Sequence, residues 1–195
     1  MKPIGVAGDL AIRGYNMLQR IPVLVYHKID HRFEFSITRI PPQRFISHLD
    51  WLQDNDYNTI TISEAEQIIR ENLVFPAKTV AIVFDDGFEN FYRYAYPLLK
   101  DRGMIATIYM VTGYAGMNDA WDINICWQKF RHLSWSQIVG LAGDGFEFGS
   151  HTVNHPDLTR LSDKRVIHEL SESRTRLEDR LGRSVRSFSY PFGRY

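Results

Sequence analysis

Short β-branched apolar runs alternate along the chain with stretches whose apolar residues recur at helical spacing. Val23–Tyr26 is apolar and ends at His27. Over residues 42–55, Phe45, Leu49 and Leu52 repeat at helical spacing with Ile46 beside them, which predicts a helix. Residues 59–62 predict a strand, and Ser63 with Glu66 reads as a capping box opening a helix to about Glu71. Thr79–Phe84 is a continuous β-branched run, expected of a strand buried on both faces. Residues 88–102 are helical in composition and stop at Gly103, although Pro97 should kink or divide them. Residues 104–111 predict a second buried strand, and 112–133 are irregular. Ser134 with Gln137 is another capping box, before a short helix ending near Gly143. Residues 146–150 predict a strand running into His151. Asp163–Leu181 predicts the longest helix, with Val166, Leu170, Leu177 and Leu181 on one face and Gly182 at its end. Residues 185–190 predict a last strand. Alternation of this kind argues for a parallel α/β sheet or barrel, in which chemistry collects at the C-terminal ends of the strands.

Composition narrows the function classes. The 195 residues are 44% apolar and 24% charged, the balance of a globular protein, which excludes a disordered chain. Lys+Arg and Asp+Glu are 23 each, so the formal net charge is zero and the broad positive field of a nucleic-acid binder is missing. The one cysteine, Cys126, excludes an internal disulfide. No window of about 18 uncharged apolar residues predicts a membrane span. The first residues lack a signal-peptide pattern, so the chain reads as cytoplasmic or as the mature form of an exported protein. Without repeats or a linker, it divides into an extension, 1–20, and one domain, 21–195.

Polar residues appear abruptly where the predicted strands end. His27 follows the first, Asp85-Asp86-Gly87 the buried run, His151 through Pro156 the strand at 146–150, and Pro191-Phe192-Gly193 the last. Two imidazoles and a carboxylate suit a catalytic divalent ion such as Zn²⁺. His151 and His155 are four apart, and Pro156 disfavours helix at His155, so a turn is the expected carrier. Adjacent acids at a strand end point in different directions. One can bind the ion while the other takes a proton from water acidified by it. Gly87 gives the backbone freedom to turn there.

At these residues the chain resembles the polysaccharide deacetylases of the NodB-homology family, carbohydrate esterase family 4. Val83 through Gly87 is similar to the family's T-F-D-D-G motif, with Val83 where Thr is usual. His151 through Pro156 is similar to H-[ST]-x-x-H-P, and Phe188 through Gly193 to the third motif, R-x-P-[YF]-G. Val23 through His27 resembles a subgroup that opens with a V-L-x-Y-H strand. The resemblance implies a distorted (β/α) barrel and metal-dependent hydrolysis of N-acetyl groups on an amino-sugar polymer or oligomer. It implies Asp85 as general base and Asp86, His151 and His155 as ligands of Zn²⁺, with Co²⁺ or Ni²⁺ as alternatives. Phe192 N–H after Pro191 would help hold an oxyanion, and His27 would be a substrate contact. Ser189 stands where the family has an arginine that orients the base. The family's later motifs, including a Leu-x-His general acid, follow the third motif. The sequence stops before them, so the expectation is a barrel incomplete at its C-terminal edge. Hydrolysis of O-acetyl or other amide groups, and a non-catalytic carbohydrate-binding remnant, are the competing readings.

Trp121, Trp127 and Trp135 with Tyr114 are expected mainly to anchor loops, with a glycan groove as the alternative. Asp119 and Asp122 read as solvated turn residues, Cys126 as inert. His31, His48, His132 and His168 show no constellation, and Arg174 and Arg180 read as a solvated face.

Overall fold

The computed structural model describes residues 20–33, 38–121 and 128–195. In chain order the elements are β1 (Val23–Tyr26), β2 (Lys28–Ile29), β3 (Arg39–Ile40), α1 (Pro42–Asp54), β4 (Asn58–Ile60), α2 (Ile62–Arg70) and β5 (Thr79–Phe84). A π-helical turn (Phe91–Ala95) leads into α3 (Tyr96–Asp101), followed by β6 (Thr107–Met110), α4 (Trp135–Gly143), β7 (Glu147–Ser150) and α5 (Asp163–Leu181).

The fold is an α/β arrangement around a parallel sheet, and β5 is its axis. All six β5 residues are buried, as its unbroken apolar run requires. Ala81 pairs with both Val23 of β1 and Ile60 of β4, and Phe84 with both Tyr26 of β1 and Ile108 of β6. Hence β4 and β6 share one edge of β5, β4 along its start and β6 along its end. This wedge distorts the sheet. β7 continues beyond β6, and Ser150 bridges to Phe188 in parallel. The strand expected over 185–190 is reduced to that bridge, flanked by bonds of Ser150 N–H to Ser187 O and Ser189 N–H to Ser150 O. Among the described residues the sheet is open, with β1 at one edge and this segment at the other.

The helices cover it for local reasons. α1 starts on Pro42 and buries Phe45, Leu49 and Leu52. Each is worth about 1.5–3 kcal/mol of apolar burial. α2 is capped by Thr61 with Glu64, two residues earlier than the box expected at Ser63 and Glu66. The Thr61 side chain accepts the Glu64 N–H while Ser63 is turned to Glu147. Pro97 divides the helix after β5 as expected. It sits in the first turn of α3, where a missing N–H costs little, and the π-turn before it absorbs the break. Gly182 ends α5 at φ 63°. On the predicted face of α5, Leu177 is buried and Val166, Leu170 and Leu181 are half-buried, and Glu169 and Ser173 are buried beside them. Because β1, β5, β6 and β7 are parallel, the residues after each of them emerge at one rim.

Candidate metal centre

Asp85 and Asp86 follow β5 directly. Asp86 and Gly87 are both left-handed, at φ 69° and 68°, which turns the chain sharply after β5. Glycine suits position 87, since the left-handed turn strains other residues and a Cβ there would press on the Met110 side chain. Asp86, His151 and His155 are 7%, 2% and 8% exposed, and one donor atom from each lies within 4.8 Å of the others. His151 follows β7, and the residues up to His155 form a turn rather than a helix, as expected from Pro156. Thr152 and His155 take φ of 68° and 56° in that turn, where His155 N–H donates to Thr152 Oγ1 at 2.9 Å.

The donor set fits a divalent ion. His151 Nδ1–H donates to Ser189 O at 2.8 Å, which leaves Nε2 facing the centre. His151 Nε2 and His155 Nε2 lie 3.4 and 3.3 Å from Asp86 Oδ1. Tetrahedral bonds of zinc length separate donors by about 3.3 Å. Asp86 Oδ1 and Asp85 Oδ1 are buried and have no hydrogen-bond partner among the described residues, a costly arrangement unless something else meets them.

The electrostatics separate the groups. Burial pushes the Asp85 carboxyl above its ordinary range, against the charges of His151 and His27 and the hydrogen bond from Ser189. Burial also acts on Asp86, but the adjacent His151 ring and the charges of His151, His155 and His27 outweigh it and hold Asp86 at about 2. Burial lowers His155 to about 4, helped by the charges of His151 and His27, so its ring is neutral and free to ligate. For His151 burial is outweighed by Asp86 and Asp85, and its pKa rises.

Around the centre, Trp121 stacks on His155 (5.0 Å between centroids, 19° between planes) and Phe192 meets it edge-on (4.7 Å, 70°). Phe192 is left-handed at φ 59°, follows buried Pro191 and is 62% exposed, so its ring forms an open wall of the site. Half-buried His27 follows Tyr26, which pairs with Phe84, so it stands across the sheet from Asp85. Its charge acts on Asp85, Asp86 and His155. Ser189 Oγ donates to Asp85 Oδ2 at 3.2 Å, a neutral donor where the resemblance has arginine. Arg186 lies instead beside Thr61, Glu64 and Glu147, away from the rim.

Residues 73–195 match the polysaccharide deacetylase family. The chain belongs to that family. It is 32% identical over 176 residues to YxkH of Bacillus subtilis, covering 90% of this chain and 58% of that protein. It is 28% identical over 162 residues to the poly-β-1,6-N-acetyl-D-glucosamine N-deacetylase of Staphylococcus aureus, covering 79% and 53%. The Streptococcus pyogenes deacetylase PplD, solved in complex with acetate, superposes with a TM-score of 0.79 at 30% identity, over 90% of this chain and 75% of that one. The chain thus spans little more than half the length of the curated relatives it matches. The buried Asp-His-His group fits the divalent metal site of this deacetylase family. No helix among the described residues is long and apolar enough to cross a membrane.

Two buried residues escaped the sequence reading. His132, given no constellation there, is fully buried, and its Nδ1–H donates to Asp86 O at 2.9 Å. It also packs 4.9 Å from Trp121 and so supports both the ligand loop and the aromatic wall. Asp119 is not a solvated turn residue. It is 4% exposed and accepts Phe130 N–H at 2.7 Å, which ties residue 119 to residue 130. Trp135 anchors α4 beneath Arg180, whose guanidinium lies 5.4 Å from its ring. Asp122, Cys126 and Trp127 lie outside the described residues.

Proposed function

We propose that this chain is a zinc-dependent N-deacetylase acting on a glycan that contains N-acetylglucosamine. The observation that carries the reading is the joint placement of Asp86, His151 and His155 around one point, with the unpartnered Asp85 Oδ1 at the same rim. The printed substrate of the Staphylococcus aureus relative supports the substrate class.

Asp86, His151 and His155 would hold the ion. A bound divalent ion supplies Lewis acidity to an acetamide carbonyl and acidifies water beside it. Asp85 is the general base, and its raised pKa makes it a better proton acceptor than Asp86. The Phe192 N–H, after Pro191, would serve the developing oxyanion, and the Phe192 and Trp121 rings would border the sugar. His27 is the proton donor. Tyr26 pairs with Phe84, which brings His27 to the strand end that Asp85 also follows. His27 protonates the leaving amine as the C–N bond breaks, giving acetate and a free amino sugar.

The test is acetate release from N-acetylglucosamine oligomers by protein stripped with a chelator and reloaded with zinc. The reading predicts activity that disappears on stripping and returns with zinc. Zinc-loaded protein that releases no acetate from any such oligomer contradicts it.

A further inference from the structure

The buried face of α5 carries an acid that the mechanism does not use. Glu169 is 7% exposed, and its carboxylate is met by three N–H donors rather than by a cation among the described residues. All three come from the turn between the two histidines. Val153 N–H at 2.8 Å and Asn154 N–H at 2.9 Å reach Oε2, and Asn154 Nδ2 at 2.7 Å reaches Oε1. The turn is gripped from its other side as well: Thr112 N–H donates to Thr152 O at 3.1 Å and Gly113 N–H to Val153 O at 2.8 Å. A Cβ on Gly113 would lie 2.5 Å from Val153 O, so that approach needs glycine. Left-handed Thr152 and His155 are strained, and such residues persist only where their surroundings over-determine them. Hydrogen bonds to an ionised carboxylate are roughly twice as strong as neutral ones.

We propose that Glu169 is the positioning residue of the metal centre. It locks the turn so that His151 and His155 converge before an ion binds, and thereby sets the affinity for a divalent cation. The proposal rests on reading Asp86, His151 and His155 as metal ligands. Glu169 itself touches neither ion nor substrate. Glutamine is no substitute, because its amide offers one acceptor oxygen and turns an NH₂ toward the donors.

The experiment measures zinc affinity by competition with a chromophoric chelator, alongside thermal unfolding of the zinc-free forms. Wild type is compared with Glu169→Gln and Glu147→Gln. Glu147 gathers hydroxyl and N–H donors at the opposite end of the sheet and reports what losing such a carboxylate does to the fold alone. Glu169→Gln is expected to weaken zinc binding by about 10–100-fold. Glu147→Gln is expected to lower the unfolding temperature and bind zinc like wild type. Equal affinity in Glu169→Gln and wild type overturns the proposal, as does equal weakening in both variants. Wild type that takes up no zinc overturns the metal-centre reading, and this proposal with it. Should Glu169→Gln not fold, Asn154→Ala removes one of the three donors and is expected to weaken zinc severalfold. Unchanged affinity in that variant overturns the proposal too.

Discussion

The two ends of the parallel sheet both carry carboxylates and use them oppositely. At the N-terminal end, Glu147 accepts Ser63 N–H at 3.0 Å, Ser63 Oγ at 2.7 Å, and Thr107 Oγ1 and Ser187 Oγ at 2.9 Å each. That one side chain joins α2, β6, β7 and the last segment. At the C-terminal end, Asp85 and Asp86 each leave an Oδ1 buried without a hydrogen bond. Left-handed non-glycine residues gather there too: Asp86, Thr152, His155 and Phe192. A satisfied carboxylate stiffens the fold. An unsatisfied one, held in a strained loop, is a place for a cation or a proton. Stability and chemistry therefore sit at opposite ends of the same strands.

Substitutions break this contrast in a graded way. The largest effect is expected from His151→Ala, which removes a nearly fully buried ring of the proposed ligand set. Bound zinc, read by elemental analysis after dialysis, should be lost and acetate release with it. Asp85→Asn should keep its zinc yet lower the turnover rate by about 10³–10⁴-fold, the upper part of the range for a lost acid or base. His27→Ala should keep zinc and lower turnover by about 10²-fold, and a substrate with a more acidic leaving amine should recover much of that loss. At the quiet end, Glu147→Gln should cost about 1–3 kcal/mol. For a chain of this size that lowers the unfolding midpoint by about 2–4 °C per kcal/mol. Zinc content and turnover of the folded fraction should not change. A Glu147→Gln protein that loses zinc would erase the distinction between the two ends.

Much of this was legible in the sequence where apolar pattern and packing agree. β5 and α5 have the bounds their patterns predict, because an unbroken β-branched run and a capped 3.6-residue period each admit one solution. The rim residues His27, Asp85, Asp86, His151 and His155 were visible because they interrupt those patterns where strands end. Residues defined by hydrogen bonds across the chain were not visible. Periodicity assigned α5 the face of Val166 and Leu170, and no apolar count reveals that Glu169 is buried to hold amides 15 and 16 residues earlier. The α2 cap was misplaced because Ser63 is a good capping residue by type, and only the fold shows it bound to Glu147, 84 residues away. His132 carried no local signal, since its partner Asp86 is 46 residues distant.

The central claim is that two imidazoles and one aspartate hold a divalent ion beside Asp85. Zinc-edge X-ray absorption on the reloaded protein tests it most directly. The account predicts imidazole nitrogens at about 2.0–2.1 Å in a low-coordinate shell, with imidazole scattering reduced in His155→Ala. Zinc surrounded by water oxygens alone, or a spectrum identical in wild type, His151→Ala and His155→Ala, would contradict it.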